Sequence, residues 1–131
     1  YRFLSMSEIP GFKQPSMVAI ASNQMLKNDP EILEKWLRAT IKGSKFLIKD
    51  PTKAASQILD ERCGGPKFDV VQEEWLIKKS IPLFDESRIG WIYEDVVMGY
   101  AQAYNKLGQI PVVPKKDDIL DYSILNKIYS E

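Results

Sequence analysis

The sequence predicts a mostly α-helical chain, with four to five helices and one short leading strand, and three observations carry that reading. Two Asp-Pro pairs, at 29–30 and 50–51, mark helix starts. Asp accepts from the free N–H groups of a first turn, and Pro fits the first helical position, where a missing N–H costs nothing. Apolar residues recur at helical spacing from Ile32 onward. The one stretch with the length and composition of a buried strand is MVAIAS, residues 17–22.

Size and charge bound the function. The chain has 131 residues, with 18 basic and 18 acidic side chains. A chain of this length buries roughly two-thirds of its unfolded surface in one core. The balanced charge argues against a nucleic-acid partner, which a basic excess would mark. The chain has no histidine, so a hydrolytic triad or a His-based zinc site has no members here. Cys63 is the single cysteine and has no internal disulfide partner; it reads as a small packed residue. No apolar run approaches the ~20 residues of a membrane span, so no membrane insertion is expected. A start at Tyr1 rather than Met leaves two readings, a removed leader or a piece of something longer.

In order along the chain, residues 1–16 are irregular, with two prolines and a glycine. The strand over 17–22 precedes a helical turn over Ser22–Lys27. The helix from Pro30 to about Lys49 then has a broad apolar arc, from Ile32 and Trp36 through Ala39, Thr40 and Gly43 to Phe46 and Ile48. Such a width predicts packing against at least two elements. Gly43 lies near the centre of the arc and costs ~1 kcal/mol in helix propensity, which implies close approach by another backbone. Glu34, Lys35, Arg38, Lys42, Lys45 and Lys49 form a narrow stripe that reads as a solvated face, supported by Glu-to-Lys/Arg pairs four residues apart.

Asp50 ends that helix and caps the next, from Pro51 to about Glu61, which buries Ala54, Ala55, Ile58 and Leu59. Cys63-Gly64-Gly65-Pro66 stops it. Asp69 caps a helix with Gln72 in capping-box position; Val70, Ile77 and Ile81 share a face, and Pro82 closes it. Leu83–Trp91 is a loop. Glu94 and Asp95 open a helix with a stripe of Val96, Val97, Tyr100, Ala103, Tyr104 and Leu107, and Gly108 stops it. Residues 110–118 read as an extended connection, and DYSILNKIYSE as a last amphipathic turn or two.

Few residues offer chemistry. Glu73-Glu74 and Asp117-Asp118 are adjacent pairs that diverge or cap rather than converge. Asp85 or Glu86 beside Arg88 reads as a loop ion pair. Trp36 and Trp75 sit at helical positions and read as packing residues. Trp91 follows a glycine in a loop, with Tyr93 close by, and is open to stacking on a flat ligand. No enzyme is expected from this chain alone, and no cofactor or metal site is read.

MVAIASNQMLKNDPEILEKWLRATIKGSKFLIKDPTKAASQIL and the later GW…YEDVVMGYAQAYNKLGQI resemble, in order, the C-terminal part of the bacterial substrate-binding proteins for nitrate, sulfonates, taurine and thiamine-pyrimidine precursors. That family includes the fungal-type pyrimidine synthases. The resemblance covers about residues 17–110, and its most specific part is the double Pro-capped helix with Ala39, Thr40 and Gly43. It implies part of a two-lobed α/β periplasmic-binding-protein fold that closes on a small ligand and hands it to an ABC transporter permease. Residues 1–20 would form the crossing segment and strand, and residues 21–131 a helical region packing on the first lobe. The remainder of the parent chain, a second copy, or a rebuilt packing of the chain's own would cover the wide apolar arc. Ligand contacts would fall at Glu8, Phe12 and Ser16 in the crossing segment and at Trp91 and Tyr93. Location would be periplasmic or extracytoplasmic, with a lipoprotein anchor through a missing N-terminus. The synthase branch relies on a histidine and a cysteine-rich segment that this chain does not carry. It stands as an alternative with its active residues upstream, beside a sensory domain of a signalling protein.

Overall fold

The computed structural model describes residues 18–59 and 69–130. Among these the chain is helical, in the order α1 (Asn23–Asn28), α2 (Pro30–Lys49), α3 (Pro51–Ile58), α4 (Val70–Ser80), α5 (Glu94–Lys106), α6 (Lys116–Ile119) and α7 (Ser123–Ser130), with a 3₁₀ turn at Ile81–Leu83 after α4.

The strand expected over 17–22 does not form in its described part. Residues 18–22 lie in no ladder, although Ser22 has extended angles, φ −73° and ψ 149°. A strand needs a neighbour's N–H and C=O groups, and no other strand occurs among the described residues. Ile20 is left 91% exposed.

The two Asp-Pro pairs differ. Asp50 works as expected: its N–H donates to the Phe46 carbonyl at the end of α2, and its carboxylate accepts from the Lys53 N–H at 3.1 Å. Asp29 has the matching backbone role, donating to the Met25 carbonyl at 3.0 Å, but its side chain makes no capping bond to α2. Asp69 caps α4 by accepting from the Val71 N–H at 3.0 Å. Gly108 sits at φ +71° just past α5. There the Gly108 and Gln109 N–H groups donate to the carbonyls of Asn105 and Tyr104, the paired bonds of a Schellman stop.

The core is small. Ala54 and Ala55 bring α3 close to α4, and together with Ile77 they form a buried cluster that Phe46, Leu47 and Ile81 pack against. Thr52 adds a polar tie, donating to Glu74 at 2.9 Å. Helix α2 meets α1, α3, α4 and α7, more elements than the two its broad arc required. Its N-terminal part stays open even so: Ile32 and Trp36 are 54% and 53% exposed. A Cβ built on Gly43 would meet nothing within 4 Å, so no backbone approaches there among the described residues, contrary to the expectation from its position.

Other expectations shift in the same direction. Trp75, read as a packing residue, is more than half exposed, as are Val71 and Leu76 beside it. The stripe of α5 contains no buried residue, and Leu107 is exposed. The connection over 110–118 is not wholly extended, since Lys116–Ile119 makes one helical turn. Helix α3 is described to Ile58 and followed by a turn at Leu59, and Cys63 and the glycine pair lie outside the described residues.

Candidate functional site

Of the five residues expected to touch a ligand, Glu8, Phe12 and Ser16 lie outside the described residues, while Trp91 and Tyr93 share the loop between the 3₁₀ turn and α5. That loop is built from two consecutive turns. The Arg88 N–H donates to the Asp85 carbonyl at 3.1 Å, and the Trp91 N–H to the Arg88 carbonyl at 2.9 Å. Gly90 occupies the third position of the second turn at φ +85°, where a side chain would be strained.

Asp85 staples the loop. Its Oδ1 accepts from the Ser87 N–H at 3.0 Å and the Ser87 hydroxyl at 2.6 Å, while its Oδ2 accepts from the Tyr93 hydroxyl. The bonds from Ser87, and next the one from Tyr93, hold the Asp85 carboxyl below the ordinary carboxylate range. The same carboxylate pushes the Tyr93 phenol up. The ion pair expected at Arg88 is therefore replaced: Asp85 takes neutral donors, and the Arg88 guanidinium carbon lies 4.5 Å from the centre of the Trp91 ring. Such a cation–π contact at an exposed site contributes about 0.5–1 kcal/mol.

Trp91 is also held from α7 and the residue before it. Tyr122 stacks on it at 5.1 Å between centroids and 24° between planes, and Tyr129 meets it edge-on at 6.3 Å. The Tyr122 hydroxyl donates to the Ile92 carbonyl at 2.7 Å, and the Tyr129 hydroxyl to the Ile89 carbonyl at 2.5 Å. Burial pushes both phenols up. Sequence reasoning singled out Trp91 and missed these two tyrosines. The signal was present: they stand seven residues apart, a helical repeat that puts both on one face.

The arrangement can present a cation and a phenol at an aromatic cluster, which suits binding. Tyr93 and Arg88 are exposed, and Trp91 is half-buried with its ring engaged by Arg88, Tyr122 and Tyr129. Glu73-Glu74 and Asp117-Asp118 do not join it: Glu74 pairs with Lys78 at 2.5 Å, and the two aspartates sit in the first turn of α6. Among the described residues no group of three or more His, Cys, Asp or Glu converges to hold a metal ion, and no helix is long and apolar enough to cross a membrane.

Residues 2–54 match the family described as NMT1/THI5 like. The match runs through α1 and α2 and ends inside α3, so it takes in the Asp-Pro helix pair and leaves the aromatic loop outside. That family holds both transporter substrate-binding proteins and thiamine-pyrimidine synthases. No curated protein and no solved structure matches the chain. Over fewer than half of its residues, then, the chain is similar to the NMT1/THI5 like family.

Proposed function

We propose that this chain belongs to the solute-binding component of an ABC uptake transporter, one that captures a small anionic or heteroaromatic ligand such as a sulfonate, nitrate or a pyrimidine. The observation that carries this reading is the match of residues 2–54 to the NMT1/THI5 like family. Capture works by noncovalent closure of two lobes, so affinity follows the population of the closed state. The residues proposed to contact ligand are Glu8, Phe12 and Ser16 in the matched segment, with Trp91 and Tyr93 from the aromatic loop. The partners proposed are the ligand, the permease and the remainder of the parent chain or a second copy. Location is proposed as periplasmic or extracytoplasmic.

A second reading, a thiamine-pyrimidine synthase, has the same family match in its favour. The chain supplies neither a histidine nor a cysteine cluster, so that chemistry would need both from residues upstream. Calorimetry on the full-length protein tests the first reading across sulfonates, nitrate, pyrimidines and flavins. One-to-one heat from one member is the expected result. Silence across the whole panel contradicts it, and turnover to a pyrimidine product selects the second reading.

A further inference from the structure

The cationic side of α2 is not simply a solvated stripe. Helix α7 lies against it, with Lys127 donating to Glu34 at 2.6 Å. The two helices leave a groove of about 350 Å³, lined by Arg38, Ile41, Lys42 and Lys45 from α2 and by Ile128 and Tyr129 from α7. Its apolar wall is ordered from both sides. Ile41 is 7% exposed, and Ile128 and Tyr129 are half-buried. The Tyr129 ring is fixed by its hydroxyl bond to the Ile89 carbonyl and by its edge contact with Trp91.

Arg38, Lys42 and Lys45 follow one another at four- and three-residue steps, which puts their side chains along one edge of the groove. Glu34 is already engaged, accepting from Arg38 at 2.9 Å and from Lys127. Neither Lys42 nor Lys45 joins an ion pair among the described residues. Like charges at this spacing repel, and repulsion between exposed helical cations is removed when an anion sits between them. A run of lysines on an open helix face offers charge alone. Here the charge borders an apolar wall, in a space at the lower end of the roughly 300–1,000 Å³ usual for small-molecule sites.

We infer that this groove binds an organic anion with an apolar or aromatic body. The body rests on Ile41, Ile128 and Tyr129, and the anionic head takes charge-assisted hydrogen bonds from Lys42 and Lys45, with Arg38 adding its field. The site uses no residue proposed for the transported ligand, so it stands or falls separately from the transport reading.

The test is an NMR titration of the full chain with naphthyl phosphate, and with naphthol as the uncharged control. Naphthyl phosphate is expected to shift the methyl signals of Ile41 and Ile128, and to bind about tenfold more tightly than naphthol, a ratio in line with two exposed charge pairs. The Lys42→Glu/Lys45→Glu double variant is expected to lose about that tenfold or more, with its circular dichroism unchanged, since both side chains are exposed on α2. Lys53→Glu, exposed on α3, is expected to bind as the unaltered chain does. Equal binding of naphthol, unchanged binding in the double variant, or shifts confined to the Trp36 side of α2 would each overturn the assignment.

Discussion

The two ends of α2 share one sequence pattern and meet different surroundings. At the C-terminal end, Phe46 and Leu47 pack on Ala54, Ala55 and Ile77, where Ala55 is fully buried. Toward the N-terminus, Ile32, Trp36, Ala39, Thr40 and Gly43 form an exposed strip along the same arc. Thr40 even returns its hydroxyl to the Trp36 carbonyl at 2.9 Å, which satisfies the hydroxyl within the helix itself. Periodicity states which face of a helix is apolar; it does not state what covers it. A strip of this kind is where the remainder of the parent chain or the second copy proposed above would add apolar cover.

The contrast can be broken at the packed end first. Ile77→Ala removes a side chain that is 4% exposed and central to the cluster, and it is expected to cost about 2–4 kcal/mol. Urea unfolding followed by circular dichroism measures it. A loss under about 1 kcal/mol would mean that the α3–α4 cluster does not carry the fold.

A smaller effect separates the two Asp-Pro pairs. Asp50→Ala removes a capping bond that the structure contains and should cost about 1 kcal/mol. Asp29→Ala removes none and should change stability by less than about 0.5 kcal/mol. The same unfolding assay compares them, and equal losses would restore the symmetry that the sequence suggested.

Acid sharpens the contrast on the α7 side. Hydrogen bonds from Lys127, then from Arg38, hold the Glu34 carboxyl below its ordinary value. A depressed carboxylate contributes stability above the unfolded value and loses it as pH falls through the folded one. The α7 contact should therefore weaken below about pH 4. Glu34→Gln should flatten that part of the pH dependence in an unfolding series, leaving the parts due to Asp85 and Glu74, which have the same sign.

Much of the helical layout was legible because its signals are local. Asp50, Asp69 and Gly108 set helix ends through bonds made within a few residues, and Pro30 through its fixed φ and missing N–H. The strand read over 17–22 fails in its described part, 18–22, because a strand depends on a distant partner, and Trp36, Trp75 and Gly43 were misread because burial depends on what lies opposite. For the candidate site, Trp91 and Tyr93 were visible as exposed-type aromatics in a glycine turn. Asp85 was visible too, but with the wrong partner, since Ser87 and Tyr93 compete for it more closely than Arg88 does. Tyr122 and Tyr129 reach the loop from 30 and 40 residues away, and no local rule connects them to it.

The open strip itself is tested most directly at Gly43. With nothing within 4 Å of a Cβ there, Gly43→Ala keeps the contacts of α2 and gains helix propensity. The urea midpoint should rise by the equivalent of about 0.4–1 kcal/mol at unchanged slope. A fall in the midpoint would mean that another backbone does pack against Gly43 and that α2 is covered, not open, along this strip.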